Sequence, residues 1–193
     1  MRRTARMIMA WPVLAGGALA DTYPFSGYFA MQSPGSVHAN CAFDILRQRE
    51  DGAFSGYLLD RSHWDTHGEA RFLRYKFGKC MFEAATRTDN CIAEENRIAA
   101  SPQVGPDRAR ITIIDEDRAG MLTLGPGDDP SNQPDLPPFV FVRCPFDEAT
   151  IAPLLSEDVR AYTAAELREM TQKRDADVLD KVLAYIARRA AAQ

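Results

Sequence analysis

The chain has 193 residues, of which 46% are hydrophobic and 26% charged, and its formal net charge is −4. This composition is typical of a globular protein and excludes wholesale disorder, a collagen-like fibre or a long coiled coil. Four cysteines are too few for a disulfide-dense miniprotein. They suit a domain that builds a hydrophobic core and adds one or two disulfides.

The first twenty residues have the pattern of a secretory signal peptide. Three arginines within the first six residues precede an uncharged, mostly apolar stretch from Met7 to Leu19. Ala18-Leu19-Ala20 offers the small residues that a signal peptidase requires, so residues 1–20 would be removed and Asp21 would begin the mature chain. The uncharged stretch, at about 13 residues, is shorter than the roughly 20 that span a bilayer. We therefore expect a periplasmic or secreted protein with no stable membrane insertion after cleavage.

Cleavage would also change the charge of the protein. Residues 1–20 contain three arginines and no acid, so the formal net charge of the mature chain would be −7. An acidic chain without a basic run cannot neutralise many phosphates, and this excludes the usual electrostatic attraction to nucleic acids and anionic lipids. We therefore expect no nucleic-acid partner.

All four cysteines lie after the predicted cleavage site, and an even number in an oxidising compartment indicates disulfides. Cys80 and Cys91 flank a local segment that fits a hairpin or a short loop. We therefore favour the pairs Cys80–Cys91 and Cys41–Cys144, while two other pairings stay open. The longer bridge would contribute about 4–5 kcal/mol through chain entropy if it is unstrained. A cysteine metal site would favour a close C-x-x-C pair, which the chain lacks.

The segment 21–147 is rich in aromatic and β-branched residues and predicts an antiparallel β-domain. Its clearest strand reads F-L-R-Y-K-F over Phe72–Phe77, in which apolar and basic residues alternate as in a half-buried strand. The predicted strands are Phe25–Met31, Cys41–Arg47, Phe54–Leu59, Phe72–Phe77, Met81–Thr86, Ala109–Ile114, Met121–Leu124 and Phe139–Arg143. About eight short strands without long helices between them predict a mainly β fold (α+β overall), as a small barrel or sandwich.

Turns and loops separate these strands. Glu50-Asp51-Gly52 and the segment from Glu116 to Gly120 are typical of hairpin turns. The segment from Gly125 to Pro138 contains two glycines, five prolines and three aspartates, and predicts a long acidic loop. Long loops in compact domains often carry function, so this loop is a candidate binding region.

The segment 148–193 predicts helices that follow the β-domain. Ser156-Glu157-Asp158 is interpreted as the start of a short helix that ends near Tyr162. Thr163 and Glu166 have the spacing of a capping box, and a longer amphipathic helix is predicted from there to about Ala191. Its apolar stripe comprises Leu167, Met170, Val178, Leu179, Val182, Leu183 and Ile186. This helix would either pack on its own domain or dock a partner.

Two histidines share the segment Asp60 to Gly68. His63 and His67 are four residues apart, and on a helix they could bind a metal together with Asp60 or Asp65. We favour a loop here, because the segment lies between two predicted strands and ends in glycine. On a loop nothing fixes the spacing, so we expect no metal site.

Aromatic residues are the other candidate ligand contacts. Five aromatic residues could line a pocket for an apolar ligand, namely Trp64, Tyr57, Tyr75, Phe72 and Phe77. His63 and His67 are further candidate ligand contacts. The same aromatic residues could instead fill the interior of a small barrel. The sequence favours filling over a ligand cavity, and Trp64 would then pack over the mouth of the barrel.

No motif for catalysis or cofactor binding is present. The chain lacks G-x-S-x-G, C-x-x-C-H, G-x-G-x-x-G and a calcium-binding loop. We therefore expect an exported, non-catalytic binding or accessory protein of the cell envelope, without cofactor, whose partner is an envelope protein, a glycan or a small apolar molecule. One alternative is a secreted hydrolase that uses loop carboxylates or His63. Another is a subunit of an envelope complex that docks through the C-terminal helix.

Overall fold

The computed structural model describes residues 25–32, 39–82, 90–97, 107–125, 127–129, 139–160, 163, 165–166 and 176–193. Nine strands and three α-helices lie within these residues. The strands are β1 Gly27–Met31, β2 Asp44–Gln48, β3 Ala53–Leu59, β4 Phe72–Phe82, β5 Asn90–Arg97, β6 Asp107–Ile113, β7 Arg118–Leu124, β8 Phe139–Arg143 and β9 Leu155–Val159. The helices are α1 Arg61–His67, α2 Glu148–Ile151 and α3 Ala176–Ala191, with short 3-10 turns at Ala39–Ala42 and Ala152–Leu154.

All nine strands form a single curled sheet. Each strand from β1 to β8 is antiparallel to the next one along the chain, and β1 pairs with β8 as well as with β2. The order of neighbouring strands therefore returns to its start, as in a barrel and not as in a two-layer sandwich. The expected mainly β fold with a C-terminal helix is confirmed.

The β2–β3 hairpin lies where the sequence predicts it. Gly52 has a φ of 81°, and the Asp51 carboxylate accepts the backbone N–H of Ala53 at 3.1 Å. A residue with a Cβ would be strained at this positive φ, so glycine is the fitting residue at the turn. The side-chain amide of Gln48 is buried and donates to the carbonyl of Gly52 at 3.0 Å, and this hydrogen bond stabilises the turn.

Strand β4 differs from its prediction in two respects. It is one strand of 11 residues and not two shorter ones. Its register with β3 shifts beside Gly56, so that Tyr75 is an extra residue between the pairs Tyr57↔Arg74 and Gly56↔Lys76. Such a bulge exchanges the faces of the residues that follow it. The predicted alternation is therefore wrong beyond this point, since Lys76 is buried at 7% exposure and Phe77 is 43% exposed.

One apolar cluster lies on the concave face of the sheet. We call it the inner cluster, and its buried members come from seven strands and from Phe25, two residues before β1. Side chains from strands on all sides of a curled sheet can meet only on its concave face. The members are Phe25, Phe29, Leu46, Phe54, Cys80, Ala109, Ile111, Ala119 and Phe141.

A second cluster, the outer cluster, lies on the opposite face of β1–β4. Tyr28 and Ala30 belong to it and flank Phe29 of the inner cluster, as expected from the alternation of side chains along a strand. Helix α3 covers this face. The buried members are Tyr28, Ala30, Cys41, Ala42, Ile45, Tyr57, Leu59, Ala70, Phe72, Cys144, Ile151, Leu154, Val178, Leu179, Val182 and Ile186.

The disulfide between Cys41 and Cys144 lies in the outer cluster. Their Cα atoms are 5.7 Å apart, and 103 residues separate them in the chain. This is the longer of the two pairings that the sequence favours. Cys80 is also disulfide-bonded, while the side chain of Cys91 lies outside the described atoms. No free cysteine occurs among the described residues.

The chain after β8 contains one error of prediction and one agreement. The short helix predicted from Ser156 to Tyr162 is wrong, because Leu155–Val159 form β9, which pairs parallel with the first residues of β4. The predicted capping box is present, since the hydroxyl of Thr163 accepts the N–H of Glu166 and the Glu166 carboxylate accepts the N–H of Thr163. The predicted helix residues Leu167 and Met170 lie outside the described part of the chain.

Within the described residues, no helix has both the length and the apolar character required to cross a membrane.

Candidate functional site

The segment expected to be a loop around His63 and His67 is a helix. Asp60 is its N-cap, and the carboxylate of Asp60 accepts the N–H of His63 at 3.2 Å. Gly68 ends the helix with a left-handed φ of 66°, and its N–H donates to the carbonyl of Trp64. An aspartate N-cap and a glycine C-cap are the usual signals for the start and the end of a helix. Here they favour a helix, although the segment lies between two strands.

Helix α1 places the two imidazoles side by side. The ring centroids of His63 and His67 are 4.6 Å apart, with 40° between the ring planes. His63 is partly covered, and its Nε2 lies 3.9 Å from the Glu69 carboxylate. Among the described residues, no group of three or more His, Cys, Asp and Glu side chains is arranged to hold a metal ion.

Trp64 lies on the covered side of α1. Its ring meets Tyr185 of α3 edge to face, with 5.9 Å between the centroids, and it packs against the outer cluster. The Arg61 guanidinium lies 5.7 Å from the centroid of the Phe43 ring. Trp64 therefore connects α1 to α3 and to the outer cluster. Its expected position over the barrel mouth stays a prediction.

The two tyrosines of the expected site lie on the neighbouring strands β3 and β4, at the bulge. Tyr57 is 2% exposed in the outer cluster, so its ring is a core side chain. Tyr75 is buried at the bulge in β4, and its hydroxyl lies 3.2 Å from a carboxylate oxygen of Asp44. Both tyrosines are therefore buried, whereas His67 is exposed on α1. A role for them in ligand binding stays a prediction.

A small polar cluster accompanies Tyr75 at the bulge. The Lys76 ammonium lies 5.5 Å from the centroid of the Tyr75 ring, which is a cation–π contact. Gly56 leaves room for these two side chains, because a Cβ at that position would come within 2.5 Å of Lys76 and 2.8 Å of Tyr75. The aliphatic stem of Lys76 therefore crosses the backbone of Gly56.

A charged groove lies on another surface of the protein, and none of the candidate residues suggested by the sequence lines it. We call it the Glu148 groove. It has a volume of about 540 Å³ and is open to solvent. It is lined by Ser26, Gly27, Tyr28, Arg47, Gln48, Arg49, Glu50, Asp51 and Glu148.

Three side chains join α2 to the sheet beside this groove. The Tyr28 hydroxyl donates to one oxygen of Glu148, and Arg47 donates to the other at 2.6 Å. Burial is the largest cause that raises the pKa of Tyr28, and the hydrogen bond to Glu148 adds to it. Glu148 is 120 residues from Tyr28 and 101 from Arg47, so no local sequence pattern could have predicted the contact.

A second surface pocket of about 610 Å³ lies beside Arg143. The Arg143 guanidinium is 4.7 Å from the centroid of the Phe29 ring and donates to the carbonyls of Ser26 and Glu116 and to the Asp117 carboxylate. Arg143 therefore closes this end of the inner cluster and fixes the turn between β6 and β7.

The described loop carboxylates suggested for catalysis stabilise turns. Asp115 pairs with Arg118 and accepts the N–H of Asp117, and these contacts lower the pKa of Asp115. Asp117 pairs with Arg143, and Asp128 accepts the N–H of Gly125 at 2.6 Å. The carboxylates of Asp115, Asp117 and Asp128 therefore act as hydrogen-bond acceptors in the folded protein. Most of the loop expected from Gly125 to Pro138 lies outside the described residues.

Comparisons with protein-family models, with curated proteins and with solved structures found no match to this chain.

Proposed function

We propose that this protein is an exported, non-catalytic binding or accessory protein of the cell envelope, and that it binds its partner on its outer surface. The observation that carries the proposal is the packing of the inner cluster. Nine buried side chains from strands all around the sheet occupy its concave face. Apolar side chains packed together in this way are typical of a small barrel whose interior is core and not a ligand cavity.

The disulfides support export. Disulfides persist in oxidising compartments and are rare in the cytosol, and both Cys41–Cys144 and the bond at Cys80 are present in the fold. The predicted cleavage after Ala20 is consistent with this location. Mass spectrometry of native material should find a chain that begins at Asp21 and contains two disulfides, whereas an intact Met1 with free thiols would contradict export.

The positions of the acids and of His63 favour binding over hydrolysis. Asp60 caps α1, and His63 faces His67 and Glu69 with no nucleophilic side chain among its described contacts. A nucleophile and its base must lie within hydrogen-bond reach of each other. Replacing His63, His67, Asp60 and Asp65 by alanine would abolish turnover in a hydrolase. We expect the unmodified protein to show no turnover of ester, peptide or glycan substrates.

The buried stripe of α3 favours packing over docking. Val178, Leu179, Val182 and Ile186 are all buried in the outer cluster. A helix whose apolar stripe is covered by its own sheet has only its charged face to offer a partner. Deleting α3 should therefore lower stability, and loss of association without loss of stability would support docking instead.

The Glu148 groove is the described surface that fits a polar partner best. It presents the cations of Arg47 and Arg49 beside the acids Glu50, Asp51 and Glu148. Mixed charges on a concave surface suit the hydrogen bonding and charge pairing of a polar peptide or a glycan more than an apolar molecule.

A charge-swap experiment tests the role of this groove. The double variant Arg49→Glu/Glu50→Lys exchanges two exposed groove charges and preserves the net charge. The matched control is Asp180→Lys/Arg188→Glu on the exposed face of α3. Purified cell-wall glycan and solubilised envelope proteins are offered to the immobilised proteins. Retention that the groove variant loses and the control keeps supports the proposal, and equal retention by both variants contradicts it.

A further inference from the structure

The histidine pair on α1 has the geometry of a chelating site. His63 and His67 are one helical turn apart and share a face, with ring centroids 4.6 Å apart. Asp60 and Gly68 cap the helix at both ends, and the contact of Trp64 with Tyr185 fastens it to α3. The backbone that carries the two imidazoles is therefore held in place before any ligand arrives.

A carboxylate lies next to this pair. The Oε2 atom of Glu69 is 3.9 Å from the Nε2 atom of His63. Two atoms that bind the same zinc ion at about 2.0–2.1 Å can be at most about 4 Å apart. The Glu69 side chain is 66% exposed, so its carboxylate can approach an ion at the imidazoles without disturbing the core.

We propose that His63 and His67 form an exchangeable surface site for a divalent transition metal, with Glu69 as the neighbouring anion. The described residues contain no ready arrangement of three or more ligands, so the imidazoles are the two protein ligands and water completes the coordination. This proposal goes beyond the binding function above. It also differs from the expectation from the sequence, which predicts no metal site at these histidines.

Copper(II) is the ion that such a site should bind most tightly. Imidazole nitrogens suit copper, nickel and zinc, and the affinity of a given site rises to copper and falls again at zinc. Calcium and magnesium prefer several oxygen ligands, which a pair of imidazoles does not supply. The expected order is therefore copper above nickel and zinc, with no binding of magnesium.

Tryptophan fluorescence provides a direct measurement. The chain has two tryptophans, Trp11 and Trp64, and Trp64 lies between the two histidines in α1. In the mature chain that begins at Asp21, where Trp64 is the single tryptophan, copper(II) chloride should quench the Trp64 emission in a saturable one-to-one titration that a chelator reverses. The same titration is repeated with zinc, nickel and magnesium chlorides, with binding of the non-quenching ions measured by competition against copper.

Single substitutions locate the site. His63→Ala and His67→Ala should each weaken copper binding about tenfold or more, which corresponds to about 1.4 kcal/mol. Glu69→Gln should weaken it less, because it removes a charge and not an imidazole. His38→Ala is the matched control, since His38 is the remaining histidine of the chain. Circular dichroism of each variant should match the parent protein, because both histidines of α1 lie outside the buried core.

Three results would overturn the proposal. The first is no saturable quenching by copper at millimolar concentration. The second is an unchanged affinity in both His63→Ala and His67→Ala, which would place the copper elsewhere. The third is loss of binding in His38→Ala with the α1 variants unaffected.

Discussion

The two apolar clusters of this protein are built from different parts of the chain. The inner cluster draws its residues from the sheet itself, together with Phe25 just before β1, whereas the outer cluster combines the first strands with α2, α3 and the Cys41–Cys144 disulfide. The inner cluster packs apolar side chains of the sheet against one another. The outer cluster needs residues from the far end of the chain, so a helix and a covalent bond complete it. The inner cluster therefore stabilises the sheet itself, whereas the outer cluster holds the helices against the sheet.

The disulfide should have the largest effect. Replacing Cys41 and Cys144 by alanine should lower the free energy of unfolding by about 4–5 kcal/mol, because the bond closes a loop of 103 residues. Urea denaturation of both proteins measures the difference. The loss should be accompanied by exposure of α3 before the sheet, seen as faster hydrogen exchange in residues 176–191. Equal protection of helix and sheet in the variant would show that the disulfide does not serve the outer cluster in particular.

Truncating one aromatic ring in each cluster compares them directly. Phe29 and Phe72 are both fully buried, the first in the inner cluster and the second in the outer one. Phe→Ala at either site should cost about 3–5 kcal/mol, the sum of lost transfer energy and the cavity left behind. Phe77→Ala is the control, since that ring is exposed, and it should cost much less. A small loss at Phe29 would argue that the concave face is loosely packed.

A substitution in α3 tests the outer cluster without changing a residue of the sheet. Ile186→Ala should lower the free energy of unfolding by about 2–5 kcal/mol if the helix belongs to the core. The comparison is Ala187→Ser on the exposed face, which should be nearly neutral. If Ile186→Ala leaves stability unchanged but prevents an association, then the helix docks a partner and the account of the outer cluster is wrong.

The N-cap of α1 should have a smaller effect. Asp60→Ala removes the acceptor for the N–H of His63 and should cost about 1 kcal/mol. Asp65→Ala, at an exposed position of the same helix, serves as the control. The midpoint of thermal unfolding should be lower for Asp60→Ala than for Asp65→Ala. Equal midpoints would contradict the assignment of Asp60 as the cap.

The smallest effect concerns Tyr28 and alkaline pH. Because burial and Glu148 raise the pKa of Tyr28, the unfolded chain loses this proton at a lower pH than the folded protein. The contribution of Tyr28 to stability is present below the ordinary tyrosine pKa of about 10 and is lost as the pH rises above it. Unfolding free energies of the wild type should therefore fall more steeply above that pH than those of Tyr28→Phe. Parallel pH profiles would contradict the buried pairing.

Local patterns predicted most of the strands. The hairpin at Gly52 and the strand Phe139–Arg143 lie where glycine placement and strand formers put them. Strand β5 was missed, because N-C-I-A-E-E-N-R is neither alternating nor rich in strand formers. Strand β9 was misjudged since Ser-Glu-Asp is typical of a helix start, and here pairing with β4 outweighs that preference.

The candidate site depended on information that the sequence does not carry. The bulge at Tyr75 exchanges the faces of β4, so an aromatic residue expected inside, Phe77, lies outside. Tyr28 and Glu148 meet only because the chain after β8 returns to β1. Helix α1 is the exception, since its sequence contains both end signals of a helix. Asp60 is a typical N-cap and Gly68 a typical C-terminal residue, and together they favour a helix over a loop.

The most direct test of the central claim is a titration of the native protein with an apolar fluorescent probe. If the inner cluster fills the concave face, the native protein binds no probe saturably, whereas Phe29→Ala opens a cavity and gains binding of a small apolar molecule such as benzene. Stoichiometric binding of a fatty-acid-sized probe by the native protein would contradict the account, because it would require a hollow sheet.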